Sequence, residues 1–447
     1  MRIKLPASVN AVLDGLHAHG YEAYAVGGCV RDAVLGRKPD DWDITTSATP
    51  WEVKELFYRT VDTGLQHGTV TVLIGDAAHE VTTYRIDGEY EDSRHPKEVT
   101  FTASLQEDLK RRDFTINAMA YNQESGLVDL YGGISDLQRK TIRCVGAPKE
   151  RFGEDALRIF RALRFAAQLG FTIEKDTLEA IRELAPTLRQ ISAERIQVEL
   201  TKMLVSPRPE YMEALYETGI TAVILPEFDA MMKCEQHNPH HCYTVGMHTI
   251  VAMSQVEPDK VLRFTMLLHD MGKPACHTRS EDGIDHFKGH AVEGTETARK
   301  ILRRLRFDND TIHQVTTLVY WHDCRLEPSM KSARCMLNRI GAELFEKLLL
   351  VQRADTLAQS EWEREQKLQR IKNMGVCLQK VLEEGQCFSL KELAVTGQDL
   401  IAQGVAPGPK IGEVLQEMLM FVLEEPDRNQ KEYLLQTFSE KISAAKE

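Results

Sequence analysis

The sequence is most informative at the run Gly27-Gly28-Cys29-Val30-Arg31-Asp32, which is followed by Asp41-Trp42-Asp43. Adjacent glycines allow a backbone to come close to a polyphosphate. Two carboxylates one residue apart project from the same face of a strand, where they can share divalent cations. This combination predicts a metal-assisted phosphoryl-transfer site.

A third carboxylate is available close by in the predicted β structure. Asp41 and Asp43 share one face of their predicted strand while Trp42 points to the opposite layer. Glu80 opens a further predicted strand, residues 80–85, and can lie alongside the pair. Clustered carboxylates repel one another at pH 7 unless cations neutralise them, and Mg²⁺ prefers hard oxygen ligands. A two-metal site is therefore one interpretation, and a solvated turn is the other for an isolated D-x-D motif.

Length and composition indicate an ordinary globular protein. The 447 residues predict two to four domains, with 43% hydrophobic and 27% charged residues. No uncharged apolar run reaches 18 residues, so we expect a cytoplasmic protein that is not membrane-bound. The nine cysteines contain no C-x-x-C pair. They predict reduced packing residues, with neither a disulfide framework nor a zinc ribbon.

The net charge of −12 argues against a general nucleic-acid coat, because nonspecific binding depends on Lys and Arg. Local basic patches can still bind RNA. One is Lys110-Arg111-Arg112, and the other is Arg158, Arg161 and Arg164, whose spacing keeps them near one side of a helix. A solvated helix face is the alternative interpretation of each patch.

Several motifs in sequence order resemble those of the tRNA nucleotidyltransferases, in the class that contains the bacterial and eukaryotic CCA-adding enzymes. The match covers roughly residues 20 to 200, and an ordered series is far more specific than one short motif. After the opening motifs come Asp108-Leu109-x-Arg111-Arg112-Asp113-Phe114-Thr115-x-Asn117-Ala118, Asp129-Leu130-x-Gly132-Gly133-x-x-Asp136-Leu137, Glu154-Asp155-x-x-Arg158 and Ile191-Ser192-x-Glu194-Arg195-Ile196.

The resemblance implies an α+β fold class, with a DNA polymerase β-like head built on a small mixed sheet and an all-α remainder. The hydrophobic pattern agrees, since it changes from β-type runs to helical spacing near Phe152. The expected domains are a nucleotidyltransferase head at 1–145, a helical neck for nucleotide selection and RNA binding at 146–230, an HD-type helical body at 231–365 and a helical tail at 366–447.

The same resemblance assigns roles to residues. Asp41 and Asp43 are expected to hold Mg²⁺ and to align the 3′-hydroxyl of a tRNA with the α-phosphate of CTP or ATP, with Glu80 as a third catalytic carboxylate. Gly27, Gly28 and Arg31 would cradle the triphosphate, and Asp113 would hold the ribose. The full set of nucleotide-binding candidates is Gly27, Gly28, Arg31, Arg111, Arg112, Asp113, Asp155, Arg158, Arg161 and Arg164.

Asp155 and Arg158 are candidates for choosing the base. They are three residues apart, so a helix would place both on one side. Cytosine and adenine each present an amino donor beside a ring-nitrogen acceptor, which a carboxylate and a guanidinium can read together. Uracil and guanine present the opposite pattern. An exposed salt bridge is the alternative interpretation.

The stretch from Arg85 to Val99, with Asp92, Arg94, His95 and Pro96, resembles the flexible loop of the family members that can add A. It favours CCA addition or A-only addition over CC-only addition, without separating those two.

The helical half carries a second set of candidate ligands. Ten of the 15 histidines lie between His237 and His322. His248, the pair His269-Asp270 and Asp355 resemble the HD metal-dependent phosphohydrolases, which implies a second divalent metal and a possible hydrolase activity. His286, His290 and His322 are additional candidate ligands.

Three classes of function follow. The first is a CCA-adding enzyme, with A-only addition and poly(A) polymerase as variants. The second is an HD phosphohydrolase with an RNA-binding head, and the third is a noncatalytic RNA-binding protein. Intact Asp41 and Asp43 count against the last two. The sequence indicates no oligomeric state.

Overall fold

The computed structural model of the chain describes residues 2–87 and 99–446. The chain forms two compact units, Met1–Asp229 and Ala230–Glu447. No helix within the described residues is long and apolar enough to cross a membrane. All nine cysteines are free, as the sequence predicted.

The first unit is built on a seven-stranded mixed sheet, which confirms the expected α+β head. The strand order is β3-β4-β5-β2-β1-β8-β9. The pair β2 and β5 is parallel, and the other neighbours are antiparallel. The strands of this sheet are β1 Ala23–Val26, β2 Ile44–Thr46, β3 Thr60–Gly64, β4 Thr69–Ile74, β5 Ala77–Thr83, β8 Met119–Asn122 and β9 Gly126–Asp129; outside it lie the pairs β6 Arg85–Asp87 with β7 Val99–Phe101 and β10 Thr141–Ile142 with β11 Thr172–Ile173.

Helices cover the sheet and then continue the chain. The predicted change to helical structure after residue 145 is confirmed. In the described part of this unit, one two-residue strand, β11, interrupts the helices that follow. The helices are α1 Ala7–Ala18, α2 Gly28–Val34, α3 Pro50–Leu56, α4 Leu105–Lys110, α5 Gly133–Arg139, α6 Pro148–Glu154, α7 Leu157–Leu169, α8 Lys175–Leu184, α9 Ala193–Leu204, α10 Met212–Glu217, α11 Thr221–Ile224 and α12 Pro226–Met232, which crosses the boundary between the units.

The second unit is helical apart from a two-stranded hairpin, β12 Thr278–Arg279 and β13 Asp285–His286. Its C-terminal part has an apolar core of its own, to which Leu400, Met418 and Leu434 belong. The helices are α13 Val245–Met253, α14 Lys260–Leu268, α15 Lys273–Cys276, α16 His290–Arg304, α17 Asn309–Trp321, α18 Met330–Ala358, α19 Arg364–Glu383, α20 Gly397–Ala402, α21 Pro409–Glu424, α22 Lys431–Thr437 and α23 Ser439–Ala444.

Gly133 is a point of close approach in the first unit, where α5 meets a short 3₁₀ turn at residues 115–117. A Cβ at Gly133 would lie 2.4 Å from the backbone oxygen of Thr115 and 2.9 Å from Met119. We expect Gly133→Ala to lower the free energy of unfolding by about 1–3 kcal/mol or more, since overpacking of this kind forces the backbone to shift. Urea denaturation measures the change.

Gly153→Ala is the matched control for this prediction. Gly153 lies within α6, and a Cβ there would meet nothing within 4 Å. Alanine has the higher helix propensity, so this variant should be neutral or slightly more stable. Equal stability of Gly133→Ala and the wild type would contradict the packing described here.

Candidate functional site

Asp41 and Asp43 lie at the end of the sheet, directly before β2 begins at Ile44. The prediction that they form part of the strand itself is therefore wrong, by one residue for Asp43 and by three for Asp41. The backbone oxygen of Asp43 still accepts a hydrogen bond from Val26 of β1, at 3.0 Å, which fixes the segment against the sheet. Trp42, which separates the two aspartates in the sequence, is buried. Asp41 is exposed and Asp43 is half-buried.

Glu80 lies beside Asp43 because of the strand register. The parallel pairing of β2 with β5 sets Ile44 opposite Val81, so the preceding residues, Asp43 and Glu80, follow side by side. Glu80 is exposed, and it lies within β5 rather than at its start, since this strand begins at Ala77. The sequence-predicted trio of carboxylates is therefore brought together.

Electrostatics identify Asp43 as the centre of this group. Burial, followed by the charge of Asp41, raises the pKa of Asp43 to about 6; Glu80 adds to the increase and Arg112 opposes it. Negative charge therefore exceeds positive charge around Asp43 in the free protein. Such a site is suited to divalent cations, which the ionised carboxylates can bind.

Arg112 links the carboxylates to the glycine turn. A Cβ at Gly27 would lie 3.0 Å from Arg112 Nη1, and Gly27 has a left-handed backbone with φ of 83°. The positive φ favours glycine at this position, and a larger residue would also displace the guanidinium of Arg112. The turn thus lets a guanidinium lie close to the backbone of Gly27, near Asp43.

Asp108 holds the two arginines at this site, and the sequence reasoning did not single it out. Its side chain is fully buried in α4 and accepts hydrogen bonds from Arg111 at 2.7 and 3.0 Å and from Arg112 at 3.4 Å. Thr45 Oγ1 donates to it at 3.1 Å. These partners lower the pKa of Asp108 against the effect of its burial. The position of Asp108 at the start of the motif that contains Arg111 and Arg112 was the available signal.

Arg31 and Asp113 are joined through Asn117. Arg31 Nη1 donates to Asn117 Oδ1 at 2.8 Å, and Asn117 Nδ2 donates to Asp113 Oδ1 at 3.2 Å. Arg31 also forms a two-bond pair with Asp32, and Arg161 donates to Asp113 Oδ2 at 2.8 Å. The pKa of Asp113 falls to about 2, because Arg161 and Asn117 outweigh its burial. A ribose hydroxyl that contacts Asp113 would bind a carboxylate that already accepts hydrogen bonds from Asn117 and Arg161.

Asp155 and Arg158 do not lie in one helix as predicted. Asp155 has an extended backbone between α6 and α7, and Arg158 lies in the first turn of α7. Asp155 accepts from Arg195 Nη2 at 2.7 Å and from the backbone of Leu157 at 3.0 Å. The side chain of Asp155 accepts its hydrogen bond from Leu157 at the start of α7. The spacing of three residues could not reveal this break between the helices.

Arg158 is fixed by different partners. It forms an ion pair with Glu154, and its guanidinium donates to the backbone oxygens of Arg151 at 3.2 Å and Arg111 at 3.1 Å. Arg158 therefore connects α7 with the segment that follows α4.

The three arginines of α7 are paired with acids rather than forming a solvated face, although the side chain of Arg161 is 35% exposed. Arg164 is buried and pairs with Glu199 of α9 at 2.5 Å, while its burial lowers its pKa to about 10. The guanidiniums of Arg31, Arg161 and Arg164 all lie within 5.4 Å of the ring centroid of Phe165. The proposed RNA patch is thus a network that joins α7 to the sheet domain. The interior of the predicted loop, including Asp92, Arg94, His95 and Pro96, lies outside the described residues.

The second unit brings the four predicted HD residues together. The helix α14 ends at Leu268, so His269 and Asp270 follow it directly and can point to one centre. His269 Nε2 lies 3.3 Å from His248 Nε2 and 3.2 Å from Asp270 Oδ2. Asp355 Oδ1, from α18, lies 2.8 Å from His248 Nε2. His248, His269 and Asp270 are almost completely buried.

Two further histidines lie against the other oxygen of Asp270. His290 Nε2 and His322 Nε2 are each 3.6 Å from Asp270 Oδ1 and 3.2 Å from each other. The backbone at Gly272 lies close to the start of α16, since a Cβ at Gly272 would lie 2.2 Å from the backbone oxygen of His290. This close approach brings His290 near Asp270. His286, the remaining candidate, is exposed and lies 3.3 Å from Ser280 Oγ, outside both clusters.

Three family models match parts of the chain. Residues 23–143 match the poly A polymerase head domain. Residues 170–232 match a model described as the probable RNA and SrmB-binding site of polymerase A. Residues 289–438 match a model described as tRNA nucleotidyltransferase domain 2, putative.

Curated relatives and a solved structure resemble the chain over almost its whole length. The CCA-adding enzyme of Enterococcus faecalis is 38% identical, over 95% of this chain and 93% of the relative. That of Lactiplantibacillus plantarum is 35% identical, over 97% and 96%. The crystal structure of the Bacillus stearothermophilus CCA-adding enzyme in complex with CTP superimposes with a TM-score of 0.74 at 29% identity, covering 98% of this chain and 100% of that one.

Proposed function

The chain belongs to the family of CCA-adding enzymes, and we propose that it adds two cytidines and one adenosine in turn to the 3′ end of tRNA. Each step uses CTP or ATP and releases pyrophosphate. The convergence of Asp41, Asp43 and Glu80 beside Arg112 is the observation that supports this chemistry in the chain itself. Addition of A alone is not favoured, because the relatives that span the chain are named for CCA addition.

We propose Mg²⁺ as the cation of this site, held by Asp41 and Asp43 with Glu80 beside them. The fit rests on the half-buried carboxylate of Asp43, whose pKa is raised by burial first and then by the charge of Asp41, with a smaller contribution from Glu80. Asp41 and Asp43 would hold the cations, which would supply Lewis-acid chemistry for the attacking 3′-hydroxyl and charge neutralisation for the leaving pyrophosphate. The residues themselves supply the placement: Asp43 is fixed by its backbone bond to β1, and Arg112 is held beside it by Asp108.

The triphosphate would lie over the glycine turn. Gly27 leaves room for Arg112, and the side chain of Arg31 lies by Gly28, where a Cβ would be 3.7 Å from Arg31 Nη2. Arg111 and Arg112 are both held by the carboxylate of Asp108. We assign these residues to the phosphates, and Asp113 with its partner Arg161 to the ribose side.

Arg158→Ala tests the proposal that Asp155 and Arg158 choose the base. A guanidinium that donates to the ring nitrogen of C or A discriminates against U by about 1–3 kcal/mol. We expect the ratio of kcat/KM for CTP over UTP to fall by about tenfold or more in this variant. Single-nucleotide extension of a tRNA that lacks CCA measures the ratio.

Arg151→Ala is the control that separates base selection from packing. Arg151 pairs with the same Glu154 and donates to the backbone oxygen of Lys110, so its loss removes comparable structural contacts. We expect this variant to keep the CTP preference. If the ratio of kcat/KM for CTP over UTP is the same in Arg158→Ala and in the wild type, the proposal is contradicted.

The test of CCA addition uses two tRNA substrates, one lacking CCA and one ending in CC. Each is incubated with labelled CTP or ATP. We expect CTP to extend the first and ATP to extend the second. Extension of the second substrate alone would indicate A-only addition, and long A tails would indicate a poly(A) polymerase.

We propose a metal site as a second function of the chain, formed by His248, His269, Asp270 and Asp355 in an HD-type helical body. Imidazole and carboxylate ligands suit a divalent metal. Support comes from the distances of 2.8 to 3.6 Å that relate the Nε2 atoms of both histidines to the carboxylate oxygens. Ligand atoms about 2.1 Å from one metal lie roughly 3.0 to 3.4 Å apart.

Such a site would hydrolyse a phosphate ester. Incubation of the purified protein with Ni²⁺, Mn²⁺ or Mg²⁺ and a chromogenic phosphodiester tests this activity. We expect release of the chromophore with at least one metal, and its loss in Asp270→Asn. Inactivity with every metal would contradict the hydrolase proposal.

A further inference from the structure

We propose that Phe165 is a positioning residue for nucleotide binding, because its ring fixes the guanidinium of Arg31 for the triphosphate. This inference rests on the proposed function and deepens it, since it adds a residue of α7 to the site on the sheet. Phe165 lies in the second half of α7 and is only 5% exposed, so it acts through Arg31 and not by touching the nucleotide.

Three guanidiniums surround the ring of Phe165. Measured from the ring centroid to Cζ, Arg164 lies at 3.8 Å, Arg31 at 5.1 Å and Arg161 at 5.4 Å. A cation within about 6 Å of the centroid is attracted by the negative face of an aromatic ring. Arg161 and Arg164 belong to the same helix as Phe165, whereas Arg31 belongs to α2. The contact with Arg31 is therefore the one that joins α7 to the glycine turn.

A second aromatic residue fixes the orientation of the ring. Phe114 and Phe165 meet edge to face, with centroids 5.8 Å apart and an angle of 82° between their planes. This is one of the preferred arrangements of aromatic pairs. Phe114 is fully buried and directly follows Asp113 in the sequence. The ring that faces Arg31 is thus held from the side of the sheet as well as by its own helix.

A chain of hydrogen bonds connects two of the arginines that face the ring. Arg31 Nη1 donates to Asn117 at 2.8 Å, and Asn117 donates to Asp113 at 3.2 Å. Arg161 Nε donates to the other oxygen of Asp113 at 2.8 Å. Both ends of this chain lie over the ring of Phe165. The ring therefore supports the residue assigned to the triphosphate and the pair assigned to the ribose together.

The ring supplies orientation to Arg31 rather than charge balance. Asp32 already neutralises Arg31 through bonds of 2.8 and 2.9 Å. Together with the bond to Asn117, these bonds use three of the five N–H groups of the guanidinium. A Cβ at Gly28 would lie 3.7 Å from Arg31 Nη2, so this edge of the group faces the glycine turn. A phosphate over the turn can be bound only while the guanidinium keeps this orientation.

Binding of inorganic tripolyphosphate tests the role of Phe165. This probe carries the three phosphates without a base or a ribose, and calorimetry in the presence of Mg²⁺ measures its affinity. We expect the dissociation constant to rise about tenfold in Phe165→Leu, which corresponds to about 1.4 kcal/mol. Leucine keeps the site apolar but offers no negative face to Arg31.

A fluorinated ring separates orientation from packing. Replacement of Phe165 with trifluorophenylalanine nearly preserves the shape of the side chain, while the electron-withdrawing fluorines reduce the negative charge of the ring face. A residue that only fills space would bind tripolyphosphate as before. We expect binding to weaken about threefold or more, with the fold unchanged by circular dichroism. This variant decides the matter even if Phe165→Leu fails to fold.

Phe160 supplies the matched control. It lies in the same helix and is fully buried, and no cation lies over its ring within the described residues. Trifluorophenylalanine at position 160 should leave tripolyphosphate binding unchanged. Equal weakening by the two replacements would overturn the inference, because it would show a general effect of fluorine in α7.

Steady-state kinetics give a second measurement. CTP and ATP share the triphosphate, so their KM values should rise by a similar factor in both Phe165 variants. A lower kcat with unchanged KM for both nucleotides would overturn the inference.

The outcomes separate this inference from the function on which it rests. A wild-type protein that adds nucleotides to tRNA, together with a trifluorinated Phe165 variant that binds tripolyphosphate equally well, would overturn the role of Phe165 alone. A wild-type protein that adds no nucleotide would overturn the proposed function, and the inference with it.

Discussion

Replacing Asp43 with asparagine will lower the rate of nucleotide addition by about 10³-fold or more. Several kcal/mol of transition-state stabilisation depend on metal-bound carboxylates, and about 4 kcal/mol corresponds to three orders of magnitude. Burial and the charge of Asp41 both disfavour the ionised carboxylate of Asp43. A bound cation relieves both effects, so we expect Asp43 to contribute most to cation binding. Single-turnover extension of tRNA with CTP measures the loss.

The fold should survive this substitution. Asparagine removes a carboxylate whose ionised form is disfavoured by its surroundings, since the pKa of Asp43 is raised to about 6. The melting temperature at pH 7.5 without metal should therefore stay the same or rise slightly. Asp40→Asn is the control, because Asp40 is exposed, lies three residues before Asp43 and is not among the charges that act on it. A fully active Asp43→Asn enzyme would contradict the site.

Asp108→Ala is expected to have the second-largest effect, and it acts on stability and activity together. Removal of this fully buried carboxylate leaves Arg111, Arg112 and Thr45 without their common partner. Breaking a buried ion pair costs about 3–5 kcal/mol of unfolding free energy. We also expect kcat/KM to fall by about tenfold or more, because Arg112 loses the contact that holds it near Asp43. Urea denaturation and steady-state kinetics measure the two effects.

Asp136→Ala is the matched control for the functional part. Asp136 is equally buried and likewise accepts hydrogen bonds from a threonine and two arginines, namely Thr115, Arg139 and Arg143. This cluster does not include any of the proposed catalytic residues. We expect a loss of stability with kcat/KM nearly unchanged for the folded enzyme. Equal kinetic losses in both variants would contradict a positioning role for Asp108.

The sequence predicted the elements and the carboxylates of the head well. Hydrophobic alternation and the ordered motifs identified the mixed sheet, and the D-x-D motif with Glu80 identified a group that strand register does bring together. The errors were local. Whether Asp43 belongs to β2 depends on the neighbouring strand, and its backbone bond to Val26 cannot be read from spacing.

The partners of charged residues were the least predictable part. Arg158, Arg161 and Arg164 share a spacing that suggests one exposed face, yet each pairs with an acid from a different segment, Glu154, Asp113 and Glu199. Tertiary packing decides these pairs. Likewise, histidine density predicted a metal site, but the spacing along the chain could not show that Asp270 lies between two pairs of rings.

The nucleotides that the protein adds to tRNA can be identified by sequencing the product. A tRNA transcript that lacks CCA is incubated with the purified protein, Mg²⁺ and all four nucleoside triphosphates, and the new 3′ ends are sequenced. We expect C, C and A to be added in that order, after which growth stops. Ends that carry U or G, extended A tails, or no added nucleotide would contradict this expectation.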